Sequence, residues 1–172
     1  MNVDLYNKTG AQIVVVTVNS LDGMSVEDYA LQTFRSYGIG SKDKNNGILF
    51  MGKSGSGKSD LALRMIIEKE ALLVADDRVD LEIINGRLYG SAPKELAGKL
   101  EVRGIGIVPF TAKNHEKITL CVELCDNRTD IERFPEDEYA TFLGASVTKI
   151  RLYAFDCSTI CKIIAKISSI IS

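Results

Sequence analysis

The stretch Gly52-Lys53-Ser54-Gly55-Ser56-Gly57-Lys58-Ser59 satisfies the phosphate-binding pattern G-x-x-x-x-G-K-[ST] and sets the reading of the whole chain. The apolar run Ile48-Leu49-Phe50-Met51 leads into it. Residues 58–69 lead out, with apolar residues paired four apart: Leu61 with Met65, Ala62 with Ile66, Leu63 with Ile67. That is the strand, loop and helix context the pattern requires. Glycines at 52, 55 and 57 remove the Cβ atoms that would hold backbone N–H groups away from phosphate oxygens. The helix starting near Lys58 would aim its positive dipole end at the same anion. Gly52 to Ser59 are therefore the expected nucleotide cradle, with Lys58 reaching the β- and γ-phosphates of a nucleoside triphosphate and the Ser59 hydroxyl binding Mg²⁺.

Working outward towards the amino end, Gln12 to Val18 is a β-branched run that reads as a buried strand. Ser25 opens a helix expected to run to about Arg35, closed by Gly38 and Gly40. Towards the carboxyl end, Ala71 to Ala75 reads as a strand delivering Asp76-Asp77-Arg78, which composition alone reads either as a solvated turn or as two carboxylates suited to metal-water ligation or general base work. Asn85-Gly86 predicts a hairpin within 80–90. Leu100 to Val108 sets Glu101 and Arg103 into an apolar, Gly-interrupted segment, where ionised groups need a partner or a ligand. Ile118 to Leu124 reads as a further strand, Asp126 to Glu138 as a charged loop, and Val147 to Tyr153 as an edge strand. Asp156 can cap a last helix whose isoleucines at 160, 163, 164, 167, 170 and 171 form one stripe. Core packing is the first reading of that stripe and a homo-oligomer contact the second.

The 172 residues suffice for one domain with a substantial core, or for one domain plus a fragment of another, and 45% hydrophobic with 26% charged residues is ordinary for a globular protein. The net charge of −2 gives no sign of a nucleic-acid partner. No basic segment precedes an apolar one at the start of the chain, and Lys162 and Lys166 interrupt the one candidate membrane span, so no membrane and a cytoplasmic location are expected. The cysteines form two C-x₃-C pairs, Cys121/Cys125 and Cys157/Cys161. A Cys₄ metal site is conceivable, but buried free thiols in a reducing compartment are the better reading.

Two resemblances follow from these motifs. Lys8 to Thr17, the Tyr29-Ala30 pair, Tyr37-Gly38-Ile39-Gly40 and Lys44 to Leu49 resemble the front part of the TPM domain family, over about residues 5–50. The second family is HPr kinase/phosphorylase. Gly52 to Ser59, Leu73 to Val79, Ala92-Pro93 and Leu100 to Ile107 resemble its carboxyl-terminal catalytic domain in the short form, over roughly residues 48–160. The implied architecture is an α/β P-loop domain with a mixed sheet and flanking helices over 48–172, preceded by a partial TPM-like βαβ segment over 1–47.

The second resemblance implies an ATP- and Mg²⁺-dependent kinase/phosphorylase acting on a serine of the phosphocarrier protein HPr of the phosphotransferase system. Lys58 and Ser59 would hold phosphates and Mg²⁺, and Asp77 would be the base that takes the serine proton and returns it in the reverse reaction. Glu101 looks like the second metal ligand, Arg103 falls in the family's signature segment, and Arg133 either matches a later catalytic arginine or serves a surface salt bridge. Family members also carry a catalytic histidine upstream of the loop. Here that region has none, and the only histidine, His115, reads as a loop residue. The alternatives are a nucleotide-binding module without phosphotransfer, a remnant in which the TPM-like segment is scaffold and no ligand binds, and, weakest, a phosphatase inherited from the TPM side.

Overall fold

The computed structural model describes residues 14–19 and 45–171. The helix expected over 25–35 lies outside them, as does most of the stretch that carries the TPM resemblance. The described elements are β1 (Val14–Asn19), β2 (Asn45–Met51), helix α1 (Lys58–Lys69), β3 (Leu72–Ala75), β4 (Asp80–Ile84), β5 (Arg87–Ser91), β6 (Lys99–Val102), β7 (Gly106–Pro109), β8 (Glu116–Leu124), a single 3₁₀ turn (Arg128–Asp130), β9 (Glu138–Phe142), β10 (Ala145–Leu152) and helix α2 (Thr159–Ile171).

The main sheet runs β3-β1-β2-β8-β10-β9. β2, β8 and β10 are parallel neighbours, whereas β1 pairs antiparallel with both β2 and β3, and β9 antiparallel with β10. The β4–β5 hairpin turns at Asn85 and Gly86, whose φ angles of 50° and 73° are the positive pair its tight turn needs. It joins the sheet only where Tyr89 and Gly90 pair with Lys117 and Glu116 at the start of β8, so the sheet curls over there.

Alternation along the strands sorts two cores. Ile48 and Phe50 of β2 face α1 and α2, packing with Leu61, Met65, Ile160 and Ile163, while Leu49 faces Val74, Leu81, Leu88 and Phe142 on the other side. In β8 the parity breaks, because Ile118 belongs to the second core but Leu120 to the first. A register shift between Gly47/Ile118 and Ile48/Leu120 inserts Thr119 as an extra residue, and this bulge swaps the faces. Thr119 Oγ1 donates to Asn46 Oδ1 at 3.2 Å, which satisfies the displaced side chain.

Three expectations need correction. β10 is not an edge, since β9 pairs along its outer side, and the charged loop ends in that strand. The Asp156 carboxylate does not cap α2 but pairs with Arg128 and Lys162, and it is the Asp156 carbonyl that accepts the Thr159 N–H. The isoleucine stripe is core, the first of its two readings, with Ile160, Ile163 and Ile167 buried. Of the cysteines, all free, only Cys121 is buried: its thiol is pushed up to about 12 by burial and by the Glu123 charge, and its sulfur lies 3.4 Å from that of Met51. Cys157 and Cys161 are exposed: Cys157 lies in the turn before α2, and Cys161 falls on the outer side of the stripe that Ile160 and Ile163 define. Among the described residues no three His, Cys, Asp or Glu side chains converge as a metal cage. No helix there is long and apolar enough to cross a membrane.

Candidate active site

The loop between β2 and α1 is bent by its glycines. Gly57 has φ 91° and is the residue before the helix, with no side-chain cap. A Cβ there would lie 2.6 Å from Ala154 Cβ and 2.9 Å from the Phe155 ring, so only glycine allows the chain to pass under the β10–α2 connection. At Gly52 a Cβ would meet Ser56 Oγ at 2.6 Å. The first-turn N–H groups of α1 thus open onto a cavity without a capping side chain, and the helix dipole favours an anion there.

Lys58 is buried, and its ammonium donates to Gly52 O at 2.8 Å and Lys53 O at 2.6 Å, which clasps the loop. Burial lowers its pKa, opposed by the charges of Asp76 and Asp77. The Lys53 side chain turns outward instead, to Asp126 at 2.5 Å, so Lys53 serves the site through its carbonyl.

β3 delivers the acids. Asp76 is buried, accepting from Ser59 Oγ at 3.2 Å on one oxygen and from the Glu101 N–H at 3.0 Å on the other. Burial pushes its carboxyl above the ordinary range, and the hydrogen bonds from Glu101 and Ser59 only partly offset this. The Arg78 N–H donates to Asp76 O at 2.8 Å, making a three-residue turn with Asp77 at its apex, φ 67°. This strained conformation exposes the Asp77 carboxylate to the cavity.

The Glu101–Asp76 bond also ties the β6–β7 hairpin to the end of β3. Leu100 enters the first core and Val102 packs against it, while Glu101 and Arg103 are exposed. The expectation that these two ions sit in a buried apolar segment is therefore corrected. The segment is a two-stranded hairpin covered on one face, with Ile105 77% and Ile107 71% exposed. Both ions nevertheless border the same cavity.

That cavity, of about 410 Å³, is lined by Ser54, Gly55, Gly57, Lys58, Ser59, Asp76, Asp77, Glu101 and Arg103, joined by Asp60, Leu63, Val102 and Phe155. Gly52 and Ser56 shape the loop behind it. Arg133 is not brought there: it lies in the exposed 131–135 segment, its guanidinium 5.6 Å from the Phe134 ring, and borders a second cavity with Arg128, Asp130 and Lys166. His115 precedes β8, stacked on Tyr89 with centroids 4.7 Å apart and 2.7 Å from Glu82 Oε1, and does not line the first cavity. Sequence reading paired Asp76 with Asp77 without separating their environments. It missed Phe155, for which no spacing signal exists. The chemistry available is an anion cradle, oxygen donors for a hard cation and an exposed base on one wall.

The model of the HPr Serine kinase C-terminal domain family matches residues 42–169. Among curated relatives, the chain is similar to the HPr kinase/phosphorylase of Clostridium beijerinckii, 38% identical over 114 residues, which is 60% of this chain and 37% of that protein. A Clostridium perfringens protein of the same name is 38% identical over 116 residues, covering 62% of this chain and 38% of its own length. The chain thus spans well under half the length of these relatives. Among solved structures, the HPr(Ser) kinase/phosphatase from Coxiella burnetii aligns with a TM-score of 0.61 at 27% identity, over 72% of this chain and 88% of that one.

Proposed function

Because the chain belongs to the HPr Serine kinase C-terminal domain family, we propose that it is an ATP- and Mg²⁺-dependent serine kinase/phosphorylase acting on HPr, the phosphocarrier of the phosphotransferase system. The observation that carries this reading is the single cavity where the glycine loop, Lys58 and Ser59 meet Asp77, Glu101 and Arg103. Residues 48–172 would be the catalytic domain. Residues 1–47 would be a TPM-like lead-in, a reading supported by β1 completing the sheet between β2 and β3. A cytoplasmic location suits such a substrate, and a homo-oligomer is part of the reading.

In the forward reaction the loop amides and Lys58 would hold the triphosphate so that the γ-phosphorus faces a serine hydroxyl in line with its leaving oxygen. Asp77, exposed at its turn apex, would take the hydroxyl proton as the serine oxygen bonds to phosphorus and ADP leaves. In reverse, Asp77 would return that proton to the serine oxygen as inorganic phosphate attacks phosphoserine and pyrophosphate forms. Arg103 would balance charge on the transferring group in both directions. The oxygen-only donor set of Ser59 and Glu101, with Asp76 bonded to Ser59, fits Mg²⁺, which keeps waters and phosphate oxygens as its remaining ligands. When bound, that ion would neutralise phosphate charge.

One observation favours a second reading, a nucleotide-binding module without transfer. The sole histidine, His115, is engaged with Tyr89 and Glu82 rather than with the cavity. The test is transfer of labelled γ-phosphate from Mg-ATP to HPr, beside Lys58→Ala and Asp77→Asn. Label on serine, lost in both variants, is the expected result. No label, with Mg-ATP still raising the melting temperature, would leave the binding module.

A further inference from the structure

In the order β3-β1-β2-β8-β10-β9, β3 and β10 lie on opposite sides of β2. Asp76 and Asp77 follow the carboxyl end of β3, and Tyr153 to Phe155 follow that of β10, so acids and aromatic ring flank the glycine loop from opposite sides. Open sheets bind ligands beyond the carboxyl ends of their parallel strands, and β2 and β10 are both parallel to β8.

Phe155 is a large apolar residue left 55% exposed at the cavity wall. It is firmly mounted. Tyr153 packs against it edge-on, with centroids 5.5 Å apart at 71°, and the Gly57 backbone lies directly against its ring edge. Thr159 Oγ1 donates to Tyr153 O at 2.6 Å, and Arg64 Nη1 donates to Ala154 O at 3.1 Å, so the connection carrying the ring is pinned to both helices.

The next step rests on the function proposed above. Transfer requires the γ-phosphate beside Asp77, on the β3 side of the loop. A triphosphate lying along the loop then directs its nucleoside away from β3, towards β10. We propose that Phe155 is the stacking platform for the base of a bound nucleoside triphosphate. A ring face exposed at that exit gives any nucleobase a π surface to stack on.

The experiment compares binding of Mg-ATP and of Mg-tripolyphosphate, which has the phosphates without the nucleoside, to the full chain by calorimetry. Phe155→Ala is expected to weaken Mg-ATP by roughly fivefold or more, the low end of base–aromatic stacking. Tripolyphosphate binding is expected to be unchanged, and Phe155→Tyr is expected to retain ATP affinity. Because the chain has no tryptophan, Phe155→Trp supplies a single tryptophan whose emission, excited apart from the tyrosines, ATP should quench and tripolyphosphate should not. An unchanged ATP affinity in Phe155→Ala overturns the proposal, as does equal weakening of both ligands, which would make the ring a support for Gly57 only. If the unaltered chain binds neither ligand, the phosphate-site reading itself falls. If it binds tripolyphosphate but Phe155→Ala leaves ATP untouched, only the base platform falls.

Discussion

Asp76 is buried under the cavity and bonded on both oxygens, while Asp77 stands exposed at a turn apex. Since Asp76 holds its proton to a higher pH in the folded chain than in the unfolded one, its contribution to stability is full below about pH 4 and drains as pH rises through the raised value. Asparagine has no such drain. The melting temperature of Asp76→Asn relative to the unaltered chain should therefore rise between about pH 4 and about pH 7.5 in thermal denaturation. A difference that stays constant across that range would mean burial does not govern this acid. At this scale the sequence was legible in residue type but not in orientation. The pair of acids after a strand could be picked out, yet adjacency does not say which faces inward. Glu101 and Arg103 were found through a desolvation argument that exposure removes, and their place in the cavity comes from the Glu101 N–H bond to Asp76.

Helix α2 shows what a period can and cannot tell. Its isoleucines recur at helical spacing, and Ile163 is fully buried between the helices and the sheet. Ile163→Ala should cost about 2–5 kcal/mol, whereas Ile67→Ala, on the exposed side of α1 at 67% exposure, should stay within about 0.5 kcal/mol. Urea unfolding of the two variants checks both, and equal losses would refute the packing described. Elements with strong local signals were legible: α1 from its apolar pairs, the β4–β5 hairpin from Asn85-Gly86. β9 was not, because Glu138 to Phe142 follows a charged stretch and its residue types run against its alternation, with Glu138 on the more covered side and Tyr139 on the exposed one. β8 would mislead a strict period of two, because the Thr119 bulge moves Leu120 to the face opposite the one that parity assigns.

Across the whole molecule the informative fact is strand order, which no local pattern encodes. β1 lies between β2 and β3, so the sheet needs a strand that precedes the 42–169 family match. A chain beginning at residue 42 would leave β2 and β3 with open edges. It should melt lower than the full chain and self-associate in analytical ultracentrifugation. An unchanged melt and an unchanged sedimentation profile would show that β1 is dispensable. β8 has the other central role, pairing with β2, β10 and the second strand of the β4–β5 hairpin. During synthesis the ribosome delivers β2 and its glycine loop long before Glu116 emerges. Until then the loop strand lacks its parallel neighbour and the hairpin has no sheet to fold onto. Such distant pairing slows folding and exposes strand edges. The nascent chain therefore completes its nucleotide cradle only once β8 has emerged, and the edges of β2 and of the hairpin stay open until then.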